Sequence, residues 1–146
     1  MNPVFVDTSV LVAAEDVAGG DLYAATLAWL DVLWRSRAGR TGNQALTEFY
    51  DQVTTAANPM PQGDARAAIR RYQTWTPWRT DAATLETAWA VQARHQLDFG
   101  DCLAVACAQH SGCDRMLSLH LPHGAEFGGV AIVHPLRQGA PETTSA

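Results

Sequence analysis

The stretch that decides the fold is Val4-Phe5-Val6-Asp7-Thr8-Ser9-Val10-Leu11, near the start of a chain of 146 residues. Its first half is short, apolar and rich in β-branched side chains, which predicts a buried strand over residues 3–7. A short helix is predicted over residues 8–14. Asp7 is therefore expected at the carboxyl end of a buried strand, where open α/β sheets bind their ligands.

Helical and strand-like patterns alternate along the rest of the chain. Helices are predicted over residues 21–38 with Asp21 as the cap, 44–57 with Asn43 as the cap, 62–74, 82–94 after Asp81, and 99–110 after Asp98. Strands are predicted over residues 40–42, 75–78 as an edge strand around Pro77, 115–118 and 130–133, with a loop over residues 119–129. Strands separated by helices indicate an α/β, three-layer fold with a central parallel sheet of about four or five strands flanked by helices.

Length and composition predict one domain over residues 1–136 and a disordered tail over residues 137–146. Hydrophobic residues make up 47% of the chain, which is enough for a core. We expect a soluble, cytoplasmic protein, because no apolar run is long enough for a membrane span and the N-terminus lacks a basic region before its apolar run. The three cysteines form no C-x-x-C pair and are expected to be reduced core residues.

The charge balance narrows the function classes. The formal net charge is −5 and the pI is about 5.4, which argues against a protein that binds duplex nucleic acid tightly. A metal-dependent nuclease remains compatible with this charge, since its site carboxylates add negative charge that a bound cation offsets. All ten basic residues are arginine, a bias that the composition of the genome explains as well as a need for bidentate phosphate contacts does.

Three acids stand at the polar edges of apolar segments: Asp7, Glu48 and Asp101. A parallel sheet brings the end of the first strand, the start of the apolar helix at Asp101 and the residues after Ser118 close together. Carboxylates that converge on one pocket repel one another unless a cation is bound. Hard divalent cations prefer such oxygen ligands, so the pattern predicts a Mg²⁺ or Mn²⁺ site.

Four further stretches share their order and spacing with a known family. They are Leu46-Thr47-Glu48-Phe49, then Phe99-Gly100-Asp101-Cys102-Leu103-Ala104-Val105-Ala106-Cys107-Ala108, then Gly112-Cys113-Asp114-Arg115-Met116-Leu117-Ser118, and finally Gly128-Gly129-Val130-Ala131-Ile132-Val133-His134-Pro135. Together with residues 4–11 they resemble the motifs of PIN-domain ribonucleases, and the most similar group is the VapC toxins of toxin–antitoxin pairs.

The resemblance implies a small α/β domain, usually a homodimer, that cleaves RNA phosphodiester bonds with Mg²⁺ or Mn²⁺ and is inhibited by a cognate antitoxin protein. It implies that Asp7 and Asp101 ligate the metal and that Glu48 ligates it directly or through water. These three acids would be the catalytic residues. The side chains expected to support them are Thr8, Ser9, Asp98 and Ser118, although for Asp98 the helix N-cap is the favoured interpretation and a peripheral site role the alternative.

One position departs from the family pattern. Where the VapC group typically reads Ser-Glu-Asp-Leu, this chain reads Ser118-Leu119-His120-Leu121. His120 therefore stands in place of the fourth family acid. Two interpretations follow: His120 is a ligand that favours Mn²⁺ over Mg²⁺, or the chain is a catalytically weak or degenerate module that binds RNA or an antitoxin.

Other features allow two readings each. Arg35, Arg37 and Arg40 could line an RNA path or form an ordinary solvated helix end. Trp29 and Trp34 indicate core packing or a groove for a partner, and Trp75 and Trp78 could stack on RNA bases.

Two other chemistries are less consistent with the sequence. A zinc site built from His120, His123 and His134 has no cysteine or second histidine pair to complete a tetrahedral set. An aspartyl-phosphate phosphohydrolase would carry a second aspartate two residues after Asp7, where this chain has Ser9.

Overall fold

A computed structural model describes residues 1–142. Six helices are present among them: α1 Thr8–Ala13, α2 Asp21–Ser36, α3 Asn43–Thr55, α4 Gln62–Tyr72, α5 Ala82–His95 and α6 Phe99–His110. Five strands are present: β1 Val4–Val6, β2 Gly39–Arg40, β3 Arg115–Leu117, β4 Glu126–Phe127 and β5 Val130–Val133. This arrangement confirms the predicted α/β class.

The strands form one mostly parallel sheet in the order β2-β1-β3-β5-β4. Strand β1 lies between β2 and β3 and is parallel to both, while β5 is parallel to β3 and antiparallel to the edge strand β4. Val6 of β1 pairs with Leu117 of β3. The residues that follow these two, Asp7 and Ser118, therefore meet at the carboxyl edge of the sheet.

Helices cover both faces of the sheet, which makes the predicted three layers. Alternate side chains of a strand point to opposite faces, and β1 follows this rule: Val4 and Val6 belong to one buried cluster and Phe5 to the other. The first cluster contains residues of α1 to α4, including the fully buried Trp29. The second cluster contains residues of α5 and α6.

The predicted edge strand over residues 75–78 is wrong. Trp75 ends a 3₁₀ turn, Gln73–Trp75, and Thr76 adopts a left-handed backbone with φ of 50°. Trp78 forms a single parallel bridge with Gly42. A left-handed residue cannot continue a strand, and Pro77 has no N–H to donate to a ladder.

Two smaller predictions need correction. The predicted loop over residues 119–129 contains the short strand β4. Asp21 and Asn43 are the first residues of their helices, not the caps, which are Gly20 and Gly42. By contrast, the predicted cap at Asp81 is confirmed, because its carboxylate accepts a hydrogen bond from the Thr84 N–H at 2.8 Å.

Part of the predicted tail contacts the domain. The Trp29 indole donates a hydrogen bond to the Gln138 carbonyl at 2.9 Å, and Ala140 packs against the first core cluster. Residues 143–146 lie outside the described part of the chain, so disorder there stays a prediction. Within residues 1–142, helices fall short of the length and apolar character that a membrane crossing requires.

The edge strand β2 supplies the first testable prediction. A Cβ added to Gly39 would overlap the indole ring of Trp75, whereas one added to Gly63 in α4 would meet nothing within 4 Å. We expect Gly39→Ala to lower the free energy of unfolding by about 2 kcal/mol, because the buried ring must move. The matched Gly63→Ala should raise it by about 0.5 kcal/mol. Denaturant unfolding measures both, and equal effects of the two variants would contradict the packing described here.

Candidate metal centre

Asp7 is buried at the end of β1, with only 7% of the residue's surface exposed. Its N–H donates to the Leu117 carbonyl at 3.1 Å, which continues the pairing of β1 with β3. Its Oδ2 accepts hydrogen bonds from the hydroxyls of Ser9 at 3.1 Å and Ser118 at 3.2 Å. Burial raises the pKa of the Asp7 carboxyl, and the Ser9 hydrogen bond lowers it by less.

The two serines connect Asp7 to the turn that follows β3. The Ser9 hydroxyl accepts a hydrogen bond from the Leu119 N–H at 3.0 Å. The Ser118 hydroxyl accepts from the N–H groups of His120 at 3.1 Å and Leu121 at 3.2 Å. Each hydroxyl thus donates to the Asp7 carboxylate while it accepts from the backbone, so the turn and the carboxylate fix each other's position.

Asp101 and His120 complete a cluster with Asp7. Each of the three residues offers a ligand atom, and these atoms lie within 4.8 Å of one another. Asp101 lies in the first turn of α6 and is partly buried, while His120 is exposed. Burial and the nearby charge of Asp7 raise the pKa of the Asp101 carboxyl. This is the one group of three or more potential ligands that the described residues bring together.

Glu48 lies beside this cluster on α3. Its Oε2 accepts a hydrogen bond from the Thr8 hydroxyl at 3.1 Å, and its Oε1 accepts from the Gln44 side-chain amide at 3.1 Å. A cavity of about 20 Å³ is lined by Asp7, Thr8 and Glu48. That volume is about what one water molecule needs. Gln44 was not predicted from the sequence, although a Gln–Glu pair four residues apart on a helix is a recognisable signal.

The structure separates the remaining candidates. Asp98 occupies the N-cap position of α6 without a capping hydrogen bond from its side chain, and its charge contributes to the raised pKa of Asp101. Arg35 forms an ion pair with Asp31 at 2.7 Å. Arg37 and Arg40 line a different cavity from the one beside Asp7.

The histidines of the zinc interpretation do not assemble into a set of three within residues 1–142. His123 instead uses its Nδ1 to accept a hydrogen bond from the His134 N–H at 3.1 Å.

The donor set fits a divalent cation. Burial raises the pKa values of both the Asp7 and the Asp101 carboxyls, and the charge of Asp7 raises that of Asp101 further. Two such carboxylates are costly to keep ionised without a cation nearby. The imidazole of His120 adds a nitrogen ligand, which suits Mn²⁺ better than Mg²⁺. Asp7, Asp101 and His120 could hold the ion, whereas Glu48 lies outside this set of three and lines the small cavity that Asp7 also lines.

The comparisons with known proteins agree with the fold. The PIN domain family model matches residues 4–119. The chain therefore belongs to the PIN-domain family, whose members are nucleases, and the family predicted from the sequence is confirmed.

A solved structure shares the fold. It is the Mycobacterium tuberculosis toxin VapC20, described as cleaving the sarcin-ricin loop. The match has a TM-score of 0.59 and 22% sequence identity, and it covers 77% of this chain and 86% of the toxin. No curated protein sequence matches the chain.

Because the charge of Asp7 is buried, we expect its removal to change the free energy of unfolding. Without metal, Asp7→Asn should raise the free energy of unfolding near neutral pH by about 1 kcal/mol, or roughly 3 °C in Tm for a domain of this size. The reason is that the neutral amide avoids the cost of burying a charge beside Asp101 while it still offers an oxygen to the serines. Thermal unfolding in EDTA measures the difference.

The pH dependence of this difference follows from the direction of the pKa shift. Because the folded-state pKa of Asp7 lies above its unfolded value, the ionised carboxylate destabilises the fold fully at pH values above the folded pKa. The advantage of Asp7→Asn should therefore shrink as the pH falls through that pKa towards the unfolded value of 3.8. Asp51→Asn, which changes an exposed acid on α3, is the control and should show no such trend. An Asp7→Asn protein less stable than wild type at every pH would contradict the prediction.

Proposed function

We propose that this chain is a metal-dependent endoribonuclease toxin of the VapC type that cleaves RNA phosphodiester bonds and is inhibited by a cognate antitoxin. The observation that carries the proposal is the cluster of Asp7, Asp101 and His120 at the carboxyl edge of a PIN-domain sheet. The cofactor is proposed to be Mg²⁺ or Mn²⁺, and the substrate to be RNA.

In this proposal Asp7, Asp101 and His120 hold the cation, and Glu48 holds it directly or through water. When bound, the cation would activate water and offset charge that builds on the phosphate in the transition state. The chain's own residues prepare the site for this. Burial of Asp7 excludes water from one side of the cluster, and the exposure of His120 leaves the other side open to a phosphate.

Three hydroxyls set the positions of the acids. Ser9 and Ser118 both donate to Oδ2 of Asp7, so neither serine occupies Oδ1. Thr8, the residue after Asp7, donates to Oε2 of Glu48. Residues that orient metal ligands in this way typically change metal affinity or activity by about 10–100-fold when they are replaced. We therefore assign positioning roles to all three, and Gln44 acts with Thr8 on Glu48.

The partners follow from the family and its fold. The described activity of VapC20 towards the sarcin-ricin loop supports RNA as the substrate class of this chain. An antitoxin chain and a homodimer are proposed on the same resemblance, as is action in the cytoplasm.

Cleavage of an RNA panel by the purified protein tests the proposed activity. We expect cutting in Mn²⁺ or Mg²⁺ and none in EDTA. Asp7→Asn should lower the rate by more than about 10²-fold, because the cluster loses one of its two carboxylate ligands. Glu48→Gln should also slow cleavage, whereas Asp51→Asn, on the exposed side of the same helix, should cut at the wild-type rate.

Two results would overturn the proposal. Equal cleavage by wild type and folded Asp7→Asn would place the activity elsewhere or in a contaminant. Absence of cutting in every metal, with an intact fold and no antitoxin co-purified, would favour the degenerate binding module. In that case His120→Asp should create activity, because it restores an acid at the fourth position.

His120 also predicts a metal preference. We expect wild type to bind Mn²⁺ about 10-fold more tightly than Mg²⁺, since imidazole is a poor ligand for Mg²⁺. His120→Asp should narrow this gap, and His120→Gln should weaken Mn²⁺ binding without adding a charge. Isothermal titration calorimetry on metal-free protein measures all three. An unchanged ratio of the two affinities in His120→Asp would show that His120 does not contact the ion.

A further inference from the structure

A second, larger cavity opens beside the edge strand β2. Its volume is about 770 Å³, within the usual range of about 300–1,000 Å³ for ligand sites. The side chains that matter in its lining are Trp34, Arg37, Arg40, Trp75, Trp78 and His110. We call it the Arg37–Arg40 pocket.

Two positive charges in this pocket have no carboxylate partner among residues 1–142. The ion pair of Arg35 with Asp31 is the only one found within residues 1–142. Arg37 is exposed, and Arg40 is half-buried with its Nη1 donating to the carbonyls of Arg37 at 3.1 Å and Gly39 at 2.8 Å. These bonds fix the Arg40 guanidinium and leave its other terminal nitrogen available for an anion. The net charge of the chain is −5, so these two neighbouring arginines make a positive region on an otherwise acidic protein.

Aromatic rings form the walls of the same pocket. The rings of Trp34 and Trp75 lie with their centroids 4.4 Å apart, and those of Trp78 and His110 lie 5.6 Å apart. Trp78 is fixed by its indole N–H, which donates to the Thr84 hydroxyl at 2.9 Å. Fixed aromatic faces beside guanidinium groups are the combination that binds single-stranded nucleic acid, with rings for bases and arginines for phosphates.

The backbone at Arg37 is unusual for its residue type. Arg37 follows α2 with φ of 57°, and the Ala38 N–H donates back to the Leu33 carbonyl at 3.1 Å. Helices that end in this way usually have glycine at the left-handed position. Arg37 therefore carries a long charged side chain at a position where the backbone conformation favours glycine. Trp75 is unusual in another way: its buried indole N–H has no hydrogen-bond partner within residues 1–142.

The Arg37–Arg40 pocket lies beside the small cavity at Asp7. The ligand cluster itself is farther away, since His110 of the pocket is nine residues, or about 13 Å, along α6 from Asp101. Arg40 lines the pocket and Gly42 lines the small cavity at Asp7, so two residues of extended chain, or about 7 Å, separate the two linings. On α6, Cys107 lines the small cavity and His110 lines the pocket, which places them about one turn apart. One strand of nucleic acid could therefore contact both cavities.

We propose that the Arg37–Arg40 pocket binds one nucleotide unit of a single-stranded RNA segment that also passes the metal centre, with the phosphate on Arg37 and Arg40 and the base against the half-buried rings of Trp34 and Trp78. The inference rests on the proposed function, because it takes RNA as the substrate. It adds a positively charged contact that an acidic protein needs in order to bring a polyanion to a cluster of carboxylates.

Binding of a short fluorescein-labelled single-stranded RNA in EDTA tests the pocket without catalysis. Arg37→Gly is the sharpest variant, because glycine suits the left-handed backbone and should not lower the Tm. We expect this variant to bind the RNA about 5-fold more weakly, with a salt dependence (log affinity against log salt) reduced by about 0.7 for the lost phosphate contact. Arg40→Gln should behave in the same direction. Arg66→Gln removes an exposed arginine of α4 and is the matched control, which should bind like wild type.

The results separate the pocket from the proposed activity. RNA binding that depends on Arg37, in a protein that cuts no RNA in Mn²⁺, would uphold the pocket and overturn the nuclease. RNA cleavage with an affinity that Arg37→Gly and Arg40→Gln leave unchanged would uphold the nuclease and overturn the pocket.

Competition with small probes tests the nucleotide chemistry. AMP should displace the labelled RNA at lower concentration than inorganic phosphate, because only AMP offers a base to the tryptophans. Equal potency of the two probes would overturn the stacking contact. AMP binding that Arg37→Gly abolishes, in a protein whose RNA affinity the same change leaves intact, would assign the pocket to a free nucleotide and overturn its role in RNA positioning.

Discussion

The burial of the Asp7 carboxylate is the constraint on which the rest of the site depends. A charge that is 7% exposed is costly, and two serine hydroxyls offset only part of that cost. Those hydroxyls also accept hydrogen bonds from N–H groups of the turn after β3. One hydrogen-bond network therefore connects the end of β1, the start of α1 and that turn. Holding this carboxylate at the sheet edge therefore lowers the stability of the fold, a cost that a bound cation would offset.

Much of the site could be predicted because strand ends are readable from sequence. A β-branched run that stops at an acid marks a strand end, and the parallel pairing of Val6 with Leu117 then puts Asp7 beside Ser118. Asp101 was equally accessible, since an acid in the first turn of an apolar helix is a recognisable start. His120 was placed at the site only through its position in the family motif, because a turn held by hydroxyl and backbone bonds has no periodic pattern of its own.

The two elements that the sequence predicted wrongly, the strand over residues 75–78 and the loop over residues 119–129, are explained by contacts that local sequence does not reveal. The aromatic run around Pro77 has the composition of a strand, but Trp75 packs at 5.1 Å from the Tyr72 ring and Thr76 turns left-handed to allow this. Tertiary packing outweighs local propensity there. Strand β4 is only two residues long and exists because Gly128 and Gly129 both adopt positive φ, which lets Phe127 pair with Val130.

The edge strand β2 links stability to surface chemistry. An unprotected sheet edge invites pairing with another chain, and here the Trp75 ring covers Gly39 while Trp78 bridges Gly42. The aromatic residues that protect the edge also form the wall of the Arg37–Arg40 pocket. The same packing therefore ends the sheet and holds rings beside two guanidinium groups. Under the proposed function these groups would offset the repulsion between RNA and the carboxylate cluster, and two of the rings, Trp34 and Trp75, also belong to the first core cluster.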